Sequence, residues 1–118
     1  MIVRSLAEAE PFKTADGSTI RELLGLPTAP VRNQSLAEAT LAPRQSTQRH
    51  HHREAEEIYY VVEGSAEMEL DGEARPVAVG DAVLIPPGAW HEITAGEEGC
   101  RFLCCCAPAY RHEDTFFE

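Results

Sequence analysis

The fold is decided by residues 50–64, HHHREAEEIYYVVEG, where three histidines and an acidic turn precede an apolar run. The run at 58–62 consists of β-branched and aromatic residues, which favour strands. Successive side chains of a strand point to opposite faces, so His50 and His52 share one face and the histidine between them takes the other. Their Cα atoms are expected about 6.5–7 Å apart, which lets two imidazoles reach one ion.

Outward from this stretch, short apolar or alternating segments lie between turn signals, and long helical periodicity is absent. The best helical stretch, residues 5–10, is short and is closed by Pro11. Glycine or proline turns separate the other segments, as at Asp71-Gly72 and Pro86-Pro87-Gly88. Strands are predicted at 18–24, 34–42, 58–62, 66–70, 73–79, 82–85, 90–95 and 101–107. Short strands at such spacing predict an all-β sandwich or barrel.

The length and charge of the chain limit its organisation and its partners. A chain of 118 residues fits one domain over 1–118, with N-terminal strands and a loop at 1–33, a barrel core at 34–108 and a C-terminal tail at 109–118. The formal net charge of −10 disfavours nucleic acids and anionic membranes as partners. The N-terminus shows no apolar stretch typical of a signal peptide, so we expect a cytoplasmic protein with a small-molecule ligand.

Two further residues extend the histidine pair into a candidate metal site. Glu57 follows His52 by five residues and opens the next strand, and His91 follows the proline-rich turn. Three imidazoles and one carboxylate suit Mn, Fe, Co, Ni, Cu or Zn. On an octahedral ion such a set leaves two positions open, which permits catalysis. Taken alone, His50 and His52 are equally compatible with ordinary surface histidines.

Around these residues the sequence resembles the cupin family. The first cupin motif has a His-x-His pair, three or four residues, a Glu, six residues and a Gly, which are matched by His50, His52, Glu57 and Gly64. The six-residue step to the glycine selects Glu57 from among the neighbouring acids. The second motif has a Gly, five residues, Pro-x-Gly, two residues and a His, which are matched from Gly80 to His91. The motifs cover residues 50–95, and the strand pattern extends the likeness over most of the chain.

The resemblance implies a small, single-domain double-stranded β-helix (jelly-roll) barrel of the kind found in bacterial and mannose-6-phosphate isomerase-like cupins. It implies one divalent transition metal held by His50, His52, Glu57 and His91, and a homodimer. Two positions depart from the motifs. The leading Gly is Arg44 here and the closing Asn is Ala95, which puts local loop geometry in doubt while all four ligand positions are filled.

Cupins resembling this chain include dioxygenases and sugar or sugar-phosphate isomerases, so we expect a metal-dependent enzyme in which Glu57 is a possible base. Tyr59 shares the face of Glu57 and is expected either to line the cavity or simply to pack. Arg44, with Arg49 and Arg53, forms either a rim that attracts an anionic substrate or a solvated loop. The alternatives to an enzyme are a non-catalytic ligand-binding or metal-binding module and a barrel whose metal only braces the sheet.

Four cysteines, Cys100, Cys104, Cys105 and Cys106, lie near the C-terminus without metal-knuckle spacing. On a strand, Cys104 and Cys106 share one face and Cys105 takes the other. The favoured interpretation is buried free thiols in a reducing compartment. The alternative makes Cys104 and Cys106 additional soft ligands of the metal.

Overall fold

The computed structural model describes all 118 residues and consists almost entirely of β-strands. The only helical segments are single 3₁₀ turns at Leu6–Glu8 and His112–Asp114. No helix is long and apolar enough to cross a membrane. The strands are β1 (Phe12–Lys13), β2 (Thr19–Leu24), β3 (Ser35–Leu41), β4 (His50–His52), β5 (Glu56–Leu70), β6 (Glu73–Ala78), β7 (Ala82–Ile85), β8 (His91–Ala107) and β9 (Thr115–Phe117). The predicted all-β fold is confirmed.

The strands form one curled antiparallel sheet in which β8 is the central element. One path runs β1-β2-β3-β8-β4-β9, and β5 pairs with β6, β7 and β8. The long strands β5 and β8, of 15 and 17 residues, pair along almost their whole length. Because β8 pairs on one edge with β5 and on the other with β3 and β4, it holds both halves of the jelly-roll barrel together.

Two predicted strand boundaries are wrong. The predicted end at Gly64 lies inside β5, and the two segments predicted at 90–95 and 101–107 are one strand, β8. The pairing register between β5 and β8 shifts on both sides of Gly64. Gly64 has a φ of 77° and lies against Gly99, whose φ is 81°. The glycine therefore makes a bulge, which bends the strand without ending it.

The C-terminal tail predicted at 109–118 contains one short strand. Within the predicted tail, Thr115–Phe117 forms β9 and pairs with β4, so that His50 faces Phe117 and His52 faces Thr115.

At Arg44, where the motif has glycine, φ is 63°. The loop thus keeps the left-handed conformation that glycine favours, at a cost of about 1–2 kcal/mol for a residue with a side chain.

The hydrophobic core fills the barrel from the inner faces of the strands. Ala66 and Met68 point inward and Glu67 outward, as the alternation predicts. The outer face of β5 is apolar and open to solvent, since Ile58 is 40% and Tyr60 44% exposed. We call this surface the outer apolar face; its members are Leu36, Ile58, Tyr60, Leu84, Leu103 and Cys105, which are neighbours across β3, β8, β5 and β7.

The Gly64 bulge predicts a large difference between two glycine substitutions. A Cβ at Gly64 would lie 2.1 Å from the carbonyl oxygen of Gly99, whereas a Cβ at Gly72 meets nothing within 4 Å, and both residues have positive φ. We expect Gly64→Ala to lower the free energy of unfolding by about 3 kcal/mol or more, since backbone clash adds to conformational strain. The Gly72→Ala control is expected to lose about 1–2 kcal/mol, from strain alone. Urea denaturation measures both, and equal losses would contradict the bulge contact.

Candidate metal centre

The four predicted ligand residues lie close together inside the barrel, on β4 and at the starts of β5 and β8. His50 and His52 occupy one face of β4, Glu57 lies at the start of β5, and His91 opens β8 directly opposite His50. All four are buried, with exposures of 5% or less. One ring nitrogen from each histidine lies within 4.8 Å of the others. The structure therefore brings the three histidines together at one point, with Glu57 against two of them.

Backbone carbonyls determine the tautomer of each histidine. The Nδ1 atom of His50 lies 2.7 Å from the Gln48 carbonyl oxygen, and that of His91 lies 3.0 Å from the Ala89 carbonyl oxygen. The Nδ1 of His52 lies 3.3 Å from the Asp114 carbonyl oxygen. A carbonyl oxygen only accepts hydrogen bonds, so each Nδ1 carries the proton and donates it. In its neutral form each ring offers its Nε2 lone pair, as a metal-binding histidine does.

Glu57 completes the set as the carboxylate. Its Oε1 lies 3.2 Å from Nε2 of His52 and 3.6 Å from Nε2 of His91. Its Oε2 accepts a 3.1 Å hydrogen bond from the Cys106 thiol, which turns the other oxygen toward the histidines. Burial opposes ionisation of Glu57, yet hydrogen bonds from His52 and His91 as imidazolium donors hold its pKa well below its ordinary value. Burial lowers the pKa of His52, the Glu57 carboxylate raises it, and the net direction is upward.

The buried polar atoms at this point fit a cation. Glu57 Oε1 and His91 Nε2 are both buried and have no hydrogen-bond partner. Buried polar groups are rarely left without a partner, because an unmade hydrogen bond costs about 1–3 kcal/mol. Burial, and then the neighbouring His91, lower the pKa of His50 to about 4, so His50 is neutral at pH 7. Nitrogen lone pairs and one carboxylate are the donors that divalent transition metals take.

A cavity of about 70 Å³ opens beside these residues. His50, His52 and Glu57 line one part of it, and 11 of its 20 lining residues are hydrophobic. The charged side chains that line it are Asp16, Glu22 and Glu57, all of them acids. The cavity is therefore apolar over much of its wall, with a few convergent polar groups, which is the character of a small-molecule site.

Asp16 lies in the turn between β1 and β2, at the wall of the same cavity. Its Oδ1 accepts hydrogen bonds from the Thr14 hydroxyl at 2.5 Å and from the Ser18 backbone and hydroxyl at 2.9 and 2.6 Å. The sequence interpretation missed this residue. The Thr-x-Asp-x-Ser pattern is typical of a side-chain-capped turn, but nothing local indicates that the turn folds over the histidines.

The other predicted site residues separate into two groups. Tyr59 is 3% exposed and lines the cavity. The arginines lie elsewhere: Arg44 is exposed and pairs with Glu97 at 3.0 Å, and Arg49 pairs with Glu69 and Glu118. Arg53 lies over the ring of Phe116 at 4.4 Å. The structure thus does not bring the predicted arginine rim to the cavity.

The four cysteines are free thiols. Cys104 and Cys106 both line the cavity, as strand alternation predicts, and Cys105 lies on the outer apolar face. Burial first, and then the negative charge of Glu57, raise the pKa of Cys104 well above its ordinary value, so its thiol stays protonated. Cys106 is likewise protonated and is used as a hydrogen-bond donor to Glu57.

Comparison with known proteins identifies relatives by sequence. The family model described as the cupin domain matches residues 37–106. The chain is 45% identical to an uncharacterised protein of Methanocaldococcus jannaschii over 90% of this chain and 86% of that one. It is 31% identical to the polyketide synthase CurC of Streptomyces cyaneus over 90% of this chain and 69% of that protein.

Solved structures give the same architecture. Oxalate decarboxylase of Bacillus subtilis superposes with a TM-score of 0.83 and 27% identity, covering 98% of this chain. The chain spans only 32% of the length of that decarboxylase. The Streptomyces nucleoside dehydratase Pac13 superposes with a TM-score of 0.84 over all of this chain and 91% of its own, at 18% identity, which shows the fold alone.

Proposed function

The chain belongs to the cupin family, and we propose that it is a metal-dependent enzyme whose ion is held by His50, His52, Glu57 and His91. The observation that carries the proposal is the convergence of three imidazoles, each with its Nδ1 proton donated to a carbonyl, beside the Glu57 carboxylate. The ion is one of Mn, Fe, Co, Ni, Cu and Zn. When bound, such an ion supplies Lewis acidity toward a substrate oxygen or a centre for oxygen chemistry.

The lining of the cavity favours an uncharged substrate that bears hydroxyl, keto or thiol groups. Apart from Glu57, which is proposed to hold the ion, its charged side chains are the acids Asp16 and Glu22, and these oppose a free carboxylate or phosphate beside them. Phosphate recognition commonly uses arginine or lysine, and the arginines once expected here pair with acids elsewhere. The proposal therefore favours oxygenase-type chemistry on a small neutral molecule over isomerisation of a sugar phosphate.

Two carboxylates are placed to move a proton. The Glu57 Oε1 faces the histidines and is the possible base at the metal centre. Asp16 is held rigid by three donors to one oxygen and lines the same cavity. We assign to Asp16 the proton transfer at the substrate's far end, because a positioned carboxylate contributes about 10²–10⁴-fold to such a step. Tyr59 and Tyr110 complete the wall that holds the substrate.

The second candidate function is a non-catalytic module that binds a small ligand in the same cavity. The largely hydrophobic lining favours it, since binding alone needs little more than apolar surface and one or two polar contacts. Both functions share the metal centre, and they differ in whether Asp16 takes part in chemistry.

The four free thiols favour a cellular compartment in which cysteines stay reduced. Cys104 and Cys105 are only partly buried, so in an oxidising environment they would be open to disulfide formation. Free cysteines persist where glutathione and thioredoxin keep them reduced. We therefore include a cytoplasmic location in the proposal.

We also propose that the protein is a homodimer through the outer apolar face. Leu84 is 55%, Tyr60 44% and Ile58 40% exposed, and the three are neighbours on paired strands. A contiguous apolar surface of this kind is typical of a protein interface. A second copy would cover it with the same residues, as two-fold symmetry requires.

Replacing one ligand should remove metal binding without unfolding the barrel. For untagged protein we expect one equivalent of Co²⁺ or Zn²⁺ by elemental analysis, and a rise in Tm on the order of 10 °C at saturating metal. His91→Ala should abolish both effects. The control is His51→Gln, on β4 with the ligands His50 and His52 but on the opposite face of that strand, where the ring packs between Trp90 and Phe116. Equal metal binding by wild type and His91→Ala would contradict the proposed centre.

Catalysis is tested with metal-loaded protein and a panel of substrates. We expect oxygen uptake with one of the neutral classes, namely diketones, catechols, flavonols or thiols, and no conversion of sugar phosphates. Asp16→Asn should lower kcat by about 100-fold or more, with Glu8→Gln, an exposed acid outside the cavity, as the control. Turnover of a sugar phosphate would overturn the substrate class, and binding without turnover across the panel would favour the non-catalytic module.

The dimer is tested by sedimentation velocity. Wild type should sediment as a dimer at micromolar concentration, and Tyr60→Asp as a monomer, because a buried unpaired charge opposes the contact. The control is Val79→Asp, since Val79 is 61% exposed and lies outside the outer apolar face. A wild-type monomer, or dissociation by both variants alike, would contradict this interface.

A further inference from the structure

A buried aspartate near the C-terminus holds the loop that joins two of the ligands. Residues 53–55 form the whole connection between β4, which ends with His52, and β5, which carries Glu57. The carboxylate of Asp114 accepts the backbone N–H groups of all three loop residues: Arg53 at 3.1 Å, Glu54 at 3.0 and 3.2 Å, and Ala55 at 3.0 Å. Asp114 is 8% exposed.

The same residue also reaches His52 through its main chain. The Nδ1 of His52 donates toward the Asp114 carbonyl oxygen at 3.3 Å, and the Thr115 hydroxyl lies at the same distance from that nitrogen. The next residues, Thr115–Phe117, pair with β4 and place Thr115 and Phe117 at the wall of the cavity. One short segment therefore contacts the loop, a ligand ring and the cavity.

Three successive amides that point at one carboxylate make a concave anion site, which is a rigid way to fix a loop. The loop is the direct covalent link between His52 and Glu57, whose Nε2 and Oε1 atoms lie 3.2 Å apart, so a change in its conformation would alter their separation. A ligand set keeps its affinity only when the residues behind it hold it in place.

We propose that Asp114 is a positioning residue of the metal centre, which sets the separation of His52 and Glu57 by binding the amides of residues 53–55. The inference rests on the proposed metal centre and adds that the C-terminal segment helps to position its ligands. A purely structural role, in which Asp114 only anchors the chain end, would lower stability without a specific effect on metal affinity.

The experiment compares Co²⁺ affinity, by competition with a chelating indicator, with the stability of the metal-free protein in urea. Asp114→Asn keeps the shape of the side chain but replaces one acceptor by a donor, which faces an amide N–H. We expect it to weaken Co²⁺ binding about 10–100-fold, with a changed visible spectrum of the bound Co²⁺.

Two control variants distinguish a positioning effect of Asp114 on the metal ligands from the loss of a negative charge and from a general loss of stability. Glu113→Gln removes the same charge from an exposed neighbour, and Asp81→Asn removes a turn-capping carboxylate that accepts the Ala78 amide at 2.8 Å, away from the ligands. Both controls should bind Co²⁺ within about threefold of wild type. Unchanged affinity in Asp114→Asn, or an equal loss in Asp81→Asn, would overturn the inference and leave the metal centre standing. A wild type that binds no Co²⁺ would refute the centre itself, and this inference with it.

If Asp114→Asn does not fold, amide hydrogen exchange on the metal-free wild type decides the question. The amides of Glu54 and Ala55 should be protected before any metal is added, because Asp114 already binds them. Rapid exchange of these two amides would show that the loop is not held, and would overturn the inference.

Discussion

Buried polar groups must be partnered, and the interior of this barrel satisfies that requirement for three histidines in one particular way. Each ring donates its Nδ1 proton to a main-chain carbonyl, two of which belong to residues only two positions earlier in the chain. The Nε2 atoms are thereby left as acceptors that face a common point together with Glu57. Three imidazole nitrogens and a carboxylate without enough donors among themselves form a candidate site for a divalent metal.

Strand pairing makes this convergence possible because it brings together residues that are far apart in the sequence. His50 and His91 are register partners although 41 positions separate their numbers, and Glu57 reaches the site from β5, the partner of β8 on its other edge. The Gly64–Gly99 contact lets β5 and β8 bend and continue around the barrel without ending. The protonated thiol of Cys106, opposite Glu57 in the register, then selects which carboxylate oxygen faces the histidines.

The all-β fold and the candidate ligands could be predicted from sequence because both leave local signals. Alternation places His50 and His52 on one face, and the motif spacing singles out Glu57 and His91. The strand end predicted at Gly64 was wrong, because a glycine can either end a strand or bend it. Which of the two occurs depends on the residue that packs against it, and here that residue is Gly99, far along the chain. The roles of Asp114 and the arginines depend on tertiary contacts over tens of residues, which no local pattern records. The same holds for the place of Asp16, whose carbonyl oxygen accepts the Gln48 N–H beside the histidines.

The cavity, the starts of β5 and β8 and the C-terminal segment all meet at the proposed metal centre. X-ray absorption spectroscopy of the Zn²⁺ or Co²⁺ protein tests it most directly, because it distinguishes nitrogen and oxygen neighbours from sulfur. The account predicts a first shell of nitrogen and oxygen only, at about 2.0–2.2 Å, with the outer-shell scattering of three imidazoles. A sulfur neighbour near about 2.3 Å would place Cys104 or Cys106 on the metal, and fewer than three imidazoles would remove a histidine from it. Either result would contradict the ligand set.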